Sequence, residues 1–322
     1  MFDKIDTVLI GTSLSEMSDD VVRAGLNVAR TSGARVCLVH AFLPHWAYNG
    51  GPYLSESFIQ ETLEVERSLA EKNLREQAER LGIRPEETVR LIVAYGPPHR
   101  VVMDAAEEVD ADLLVVGSTE SPQLSKLFGS TADRVIRKAS RPVLMVRGAL
   151  RSPLRRVLLP VDLSPVSAAA FRRGLSVLTW IAPDLDTRFE AVFVASPRDR
   201  GLMLEERGES LPADMAEASG LERFVARNAA WCGREIETRL LYGEVEEEIR
   251  NFASGWNADL IVVGTHGRGG FERFLLGSVA ADVVRRGPAS VLVIPPEPAP
   301  EAARPQVKET AAAASIGMMA FV

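Results

Sequence analysis

The chain has 322 residues, 46% of them hydrophobic and 25% charged, with a formal net charge of −7. That length can bury a sizeable core and suits two domains better than one. The acidic balance, with no dense Lys/Arg run, argues against nucleic acid or an anionic membrane as the main partner. Cys37 and Cys232 have no Cys-x-x-Cys or Cys/His ligand spacing, so neither a disulfide framework nor a zinc site is expected, and both read as small buried apolar residues. The first apolar run stops too early for a signal-peptide core, and no run approaches the roughly eighteen residues of a membrane helix. The expected location is the cytoplasm.

Taken in chain order, short aliphatic runs predict strands at 7–12, 35–42, 88–94, 112–117 and 142–147. A joint follows at 148–155, and the pattern repeats with strands at 156–161, 188–195, 235–242, 259–264 and 290–294. Helices at 165–180, 214–233, 244–254 and 278–286 separate the second set. The repetition is visible in the letters: TVLIGTSLS at 7–15 aligns with RVLLPVDLS at 156–164, and DADLLVVGS at 110–118 with NADLIVVGT at 257–265. RPVLMV at 141–146 aligns with PASVLVI at 288–294, again at an offset near 148. Two copies of one unit, 1–147 and 156–295, are therefore expected. Runs such as LLVVG are apolar at successive positions, which suits a parallel strand covered by helices on both faces. Residues 296–322 turn to Pro, Ala and Glu and are expected to be a disordered tail.

The most informative stretch is GTHGRGGFERFLLGS at 264–278, with five glycines between a strand and a helix. Glycine lets a ligand approach the main chain, and the start of a helix offers free N–H groups and a positive dipole end to an anion. Ser278 adds a hydroxyl donor, so the loop reads as a phosphate cradle. It lies beyond the carboxyl end of a strand, where open α/β sheets bind ligands. Neither GxxxxGK[ST] nor a GxGxxG after the first strand is present, which argues against a P-loop ATPase or an ordinary dinucleotide enzyme.

The spacing Gly264-x2-Gly267-x9-Gly277-Ser278, following LIVV and joined by Val161-Asp162 after the first strand, resembles the ATP-binding pattern of the universal stress protein family. Both repeats, residues 3–295, share the resemblance. It implies two tandem five-stranded parallel-sheet α/β sandwiches, Rossmann-like and similar to adenine-nucleotide alpha-hydrolases, paired through their last strands as an intramolecular pseudo-dimer. It also implies that Asp162 lies near adenine and ribose and that Val194 and Ala195 offer main-chain groups to the base. Gly264, Gly267, Gly277, Ser278 and Val279 would then surround ribose and phosphates, with His266 and Arg268 as phosphate contacts. Plain structural roles exist for the same residues: Asp162 as a helix cap, which Ser164 would serve equally, and His266 and Arg268 as a solvated loop face.

The first copy departs from this pattern. Ser13 stands in place of Asp162, Glu120 in place of Gly267, and the interval to Gly129 is one residue shorter, although Gly117, Ser130 and Thr131 remain. A carboxylate aimed at a polyphosphate is repulsive, so one competent site per chain is expected, in the second repeat. Phosphoryl transfer needs a clamp and a positioned nucleophile. No second acid near the loop and no His/Asp pair supplies them, and His40 in a strand reads as a packed histidine. The expected function is an ATP-binding stress-response module, with or without magnesium, that has little turnover and acts on an unknown regulatory protein. A slow ATPase or phosphotransferase and a nucleotide-independent scaffold are the alternatives. Long loops at 43–57 and 196–213 are candidates for partner specificity, and assembly of two chains is not readable from the letters.

Overall fold

The computed structural model describes residues 4–44, 55–118, 131–196, 213–265 and 276–296. Ten strands form one sheet. The first repeat supplies β1 (Thr7–Thr12), β2 (Arg35–Phe42), β3 (Thr88–Tyr95), β4 (Leu113–Gly117) and β5 (Val143–Val146). The second supplies β6 (Arg156–Pro160), β7 (Arg188–Ala195), β8 (Ile236–Tyr242), β9 (Leu260–Gly264) and β10 (Ser290–Ile294). Their order across the sheet is β3-β2-β1-β4-β5-β10-β9-β6-β7-β8. All pairings are parallel except the central one, where β5 and β10 run antiparallel with Leu144 opposite Leu292. The expected pairing through the last strands is realised as one continuous sheet.

Helices cover both faces. They are α1 (Asp19–Ser32), α2 (Glu56–Arg80), α3 (Pro98–Glu108) and α4 (Thr131–Lys138), then α5 (Pro165–Ile181), α6 (Ala213–Ala229), α7 (Val245–Gly255) and α8 (Ser278–Arg286). Along β1, Val8 and Ile10 enter one apolar cluster and Leu9 the other, as the two-residue strand period requires. This accounts for uninterrupted runs such as LLVV, whose four residues are all buried. The helix ends follow local chemistry. Ser164 caps α5 by accepting the Ser167 N–H at 3.1 Å, with Pro165 at the first helical position. Gly33 ends α1 at φ 73°, its N–H on the Ala29 carbonyl.

The repeated Asp-Leu pair is explained at the amino ends of each repeat's strands. Asp112 Oδ2 accepts the N–H groups of Asp6 and Thr7 at 2.8 and 3.0 Å. Asp259 Oδ2 does the same for Arg155 and Arg156 at 2.8 and 2.9 Å. Each carboxylate thus pins the start of its repeat's central strand. Two residues earlier, Asp110 and Asn257 sit at φ 48° and 53°, a left-handed conformation that Asp and Asn tolerate best among residues with a Cβ.

The seam is fixed on both faces. α1 packs against α5 across the repeats. On the other face the Arg147 guanidinium donates to the Val284 carbonyl at 2.7 Å, and Arg285 reaches Asp133 at 3.9 Å.

Cys37 is wholly buried, and burial pushes its thiol up to about 12. Cys232 departs from the expectation: it is half-buried, packed against the edge of the core beyond α6. An aromatic disulfide reagent is therefore expected to titrate one thiol in the native chain and two in denaturant. Two fast native thiols would contradict this packing.

Candidate functional site

The strand order reverses between β1 and β4 in the first repeat and between β6 and β9 in the second. At both places the neighbouring strands leave in opposite directions and a crevice forms beyond their carboxyl ends. The second crevice opens earlier. β1 and β4 pair over three registers, Val8↔Leu113 to Ile10↔Val115, whereas β6 and β9 pair only at Val157↔Leu260 and Leu158↔Ile261. Sequence explains the difference. Val161 donates its N–H to Val192 on β7, so by alternation the main-chain nitrogen aimed at β9 is that of Pro160, which carries no hydrogen. The matching residue in β1 is Gly11, which keeps its N–H.

One wall of the second crevice is the turn after β6. Asp162 Oδ1 accepts the Ser164 N–H at 2.9 Å, and the Asp162 N–H donates to Ser167 Oγ at 3.2 Å. The capping role falls to Ser164, while Asp162 braces the turn before it. Between them Leu163 adopts φ 63°, matched by Leu14 at φ 62° in the first repeat. A left-handed leucine costs roughly 1–2 kcal/mol, so both turns are held against local strain.

The other wall is built from the described ends of the connection between β9 and α8. Its neck is closed: Thr265 is buried, donates its N–H to the Ile294 carbonyl at 3.1 Å and accepts the Gly277 N–H at 2.8 Å. Gly264 is the last residue of β9, and Gly277 is the N-cap of α8 at φ −56°, ψ 156°. Gly277 is therefore not in a left-handed conformation. What glycine contributes there is the absence of a capping side chain, so the first-turn N–H groups of Ser278 and Val279, which by helix geometry have no intrahelical acceptor, are not taken by the cap. Gly267, His266 and Arg268 lie outside the described residues, as do Glu120, Gly129 and Ser130 of the first repeat.

At the floor, Val194 and Ala195 are buried at the end of β7. The β6–β7 ladder stops at Pro160↔Val192, while β7 continues on β8 to Ala195↔Tyr242. The structure thus brings Asp162, Val194, Ala195, Gly264, Gly277, Ser278 and Val279 to one edge of the sheet at the switch point.

The same edge of the first repeat is tied up internally. Thr12 Oγ1 donates to Gln77 Oε1 at 2.8 Å and lies 2.9 Å from Ser18 Oγ. Gln77 Nε2 donates to Asp19 Oδ1 at 2.9 Å, and Arg80 pairs with the same carboxylate. The residues of the second repeat matching Thr12 and Asp19 are Val161 and Ala168, which cannot build such a network. His40 donates Nδ1–H to the Thr12 carbonyl at 2.9 Å, and burial lowers its pKa, so it is a packed neutral histidine.

The network has a pH signature. The Arg80 guanidinium, helped by the Gln77 amide, holds the Asp19 carboxyl below its ordinary value against the opposing effect of burial. A lowered folded-state pKa contributes stability above the unfolded value of about 4 and loses it as pH falls through the folded one. Asp19→Asn is expected to cost about 1–3 kcal/mol at pH 7, Arg80 being half exposed. That difference from wild type should shrink below about pH 4, as urea midpoints at pH 7, 4 and 3 would reveal. A constant difference would contradict the pairing.

Among the described residues no group of three His, Cys, Asp or Glu side chains could hold a metal, and no helix is long and apolar enough to cross a membrane.

A duplicated doubly wound α/β sheet with a glycine-bounded loop at its switch point defines the class of this protein. The model of the universal stress protein family matches residues 4–147 and 153–295, and the chain belongs to that family. A universal stress protein of Mycolicibacterium smegmatis is 28% identical over 296 residues, covering 90% of this chain and 97% of the relative. One from Methanocaldococcus jannaschii is 33% identical over 142 residues, covering 44% of this chain and 81% of its own length. The crystal structure of a universal stress protein from Archaeoglobus fulgidus superposes over 91% of this chain and 97% of its own, with a TM-score of 0.63 at 20% identity.

Proposed function

We propose that the second repeat binds one adenine nucleotide, ATP with or without magnesium, and that the chain acts as a cytoplasmic stress-response regulator with little or no turnover. The observation that carries this reading is the early splay of β6 from β9, opposite a helix start whose cap has no side chain. Asp162 would face adenine and ribose, and the main chain of Val194 and Ala195 would meet the base. Gly264, Gly277, Ser278 and Val279 would hold ribose and phosphates, joined by Gly267, His266 and Arg268 from the rest of the loop. A phosphate suits unpaired N–H groups at the positive end of a helix dipole. The first repeat acts as a structural partner, because Gln77 and its neighbours occupy their own hydrogen-bonding capacity at the matching edge. Bound nucleotide would act on a regulatory protein by favouring one of two surface conformations.

Denaturing freshly purified protein and identifying the released nucleotide by mass spectrometry tests this directly. About one ATP per chain is expected, from one competent site. Two equivalents would sink the single-site reading. None, even after adding ATP and magnesium, would favour a scaffold, while released ADP or labelled phosphate on Ser278 would favour an enzyme.

A further inference from the structure

A further crevice lies where the two repeats meet, between α1, the joint and the amino end of β9. It has a volume of about 280 Å³, toward the lower end for small-ligand sites, which favour domain interfaces. Its floor is aliphatic: Val28 from α1, Leu144 from β5, Leu154 from the joint, Ile181 from α5 and Leu260 from β9, none more than 6% exposed. Asn27, Thr31, Arg151 and Asp184 form the rim.

The pseudo-symmetric place carries larger side chains. RAGLNV at 23–28 aligns with RRGLSV at 172–177, so Ala24 and Thr31 match Arg173 and Trp180. Trp180 packs against the core, and Arg173 donates to the carbonyls of Pro295 and Pro296 at 2.8 and 2.9 Å. Small residues on α1 line the crevice where the matching residues on α5 are large.

The rim has hydrogen-bonding capacity to spare. Arg151 approaches Asp259 Oδ1 only at 3.8 Å, too far for a hydrogen bond, and the other oxygen of Asp259 is taken by two main-chain N–H groups. Among the described residues the side chains of Asn27 and Thr31 make no hydrogen bond. Asp184 is engaged, accepting the Asp186 N–H at 2.9 Å and facing Arg155 at 3.8 Å. The groups with hydrogen-bonding capacity left are therefore a cation in a loose ion pair with Asp259, an amide and a hydroxyl above an apolar floor.

We propose that this crevice binds a small aliphatic monocarboxylate, with a chain of about eight carbons on the floor and the carboxylate on Arg151. Octanoate and 1-octanol, titrated into the full chain by calorimetry and saturation-transfer NMR, separate head from body. Octanoate is expected to bind about two- to fivefold tighter than octanol, the usual weight of a solvent-exposed ion pair. Arg151→Gln, on the exposed joint, should erase that preference. Thr31→Trp, which copies the matching residue of the other repeat, should remove both ligands while circular dichroism stays unchanged. If that variant fails to fold, Arg151→Gln still decides. Equal affinity for acid and alcohol, no binding of either, or full octanoate binding in a folded Thr31→Trp chain would overturn the proposal. So would tighter octanoate binding after deletion of residues 297–322, which would assign the crevice to the chain's own tail.

Discussion

Gly277→Asp is expected to abolish nucleotide binding while leaving the unliganded chain as stable as wild type, or a few tenths of a kcal/mol more stable. The residue is the N-cap of α8 at φ −56°, ψ 156°, an extended conformation that Asp adopts without strain. Its carboxylate would accept N–H groups of the first turn and complement the helix dipole. Those are the groups proposed to receive phosphate, so the substitution puts a fixed anion where the ligand anion would sit. Saturating ligand at about one hundred times Kd adds about 2.7 kcal/mol to stability, a thermal shift of several degrees. The variant should show none of it. Asp162→Ala is the complementary change, but it is less clean, because Asp162 also accepts the Ser164 N–H and its loss should cost the unliganded chain about 1 kcal/mol. Melting curves with and without ATP and magnesium would read both variants. An undiminished ATP shift in Gly277→Asp would remove the phosphates from this helix start.

Most of the architecture is legible in the letters because the signals are local and repeated. Four consecutive buried aliphatics in LLVV and LIVV, set in an alternation with helical patterns, suit strands covered on both sides, and the apolar edges VLMV and VLVI pair where exposed edges would invite aggregation. The glycine loop is legible for the same reason, since Gly264 and Gly277 bracket a strand end and a helix start. What the letters hide is long-range. Gln77 reads as one more polar residue on a helix, yet its partners Thr12, Ser18 and Asp19 lie about sixty positions away. Leu14 and Leu163 carry no letter that announces a left-handed turn, because tertiary packing and not propensity holds them there. Pro160 is visible in the sequence, but its effect depends on which neighbour its nitrogen faces, and that follows only from the strand order. Cys232 has the composition of a core residue and the position of an edge one.

Leu292→Ala should lower stability by about 2–5 kcal/mol, the usual range for emptying a fully buried leucine site. Leu292 and Leu144 are both 0% exposed and lie directly opposite each other where β10 meets β5. β5 and β10 are each the outermost strand of their own repeat, so this pairing is what joins the two halves of the sheet. Leu144→Ala should cost a similar amount. The double variant should cost measurably less or more than the sum, by at least about 0.5 kcal/mol, since the two deletions share one cavity. Leu292→Asp goes further, burying an unpaired carboxylate at the seam. Its effect distinguishes two ways the repeats can depend on each other. If the sheet folds as one unit, urea should unfold wild type and Leu292→Ala in a single transition with unchanged slope, and Leu292→Asp should leave no stable half, its exposed edges driving aggregation. If each repeat is stable alone, Leu292→Asp should instead unfold in two separate transitions, followed by tryptophan fluorescence and circular dichroism. The single transition is the expected result, because the two apolar clusters on the faces of the sheet both run across the seam, Leu144 with Leu292 on one side and Met145 with Val291 on the other.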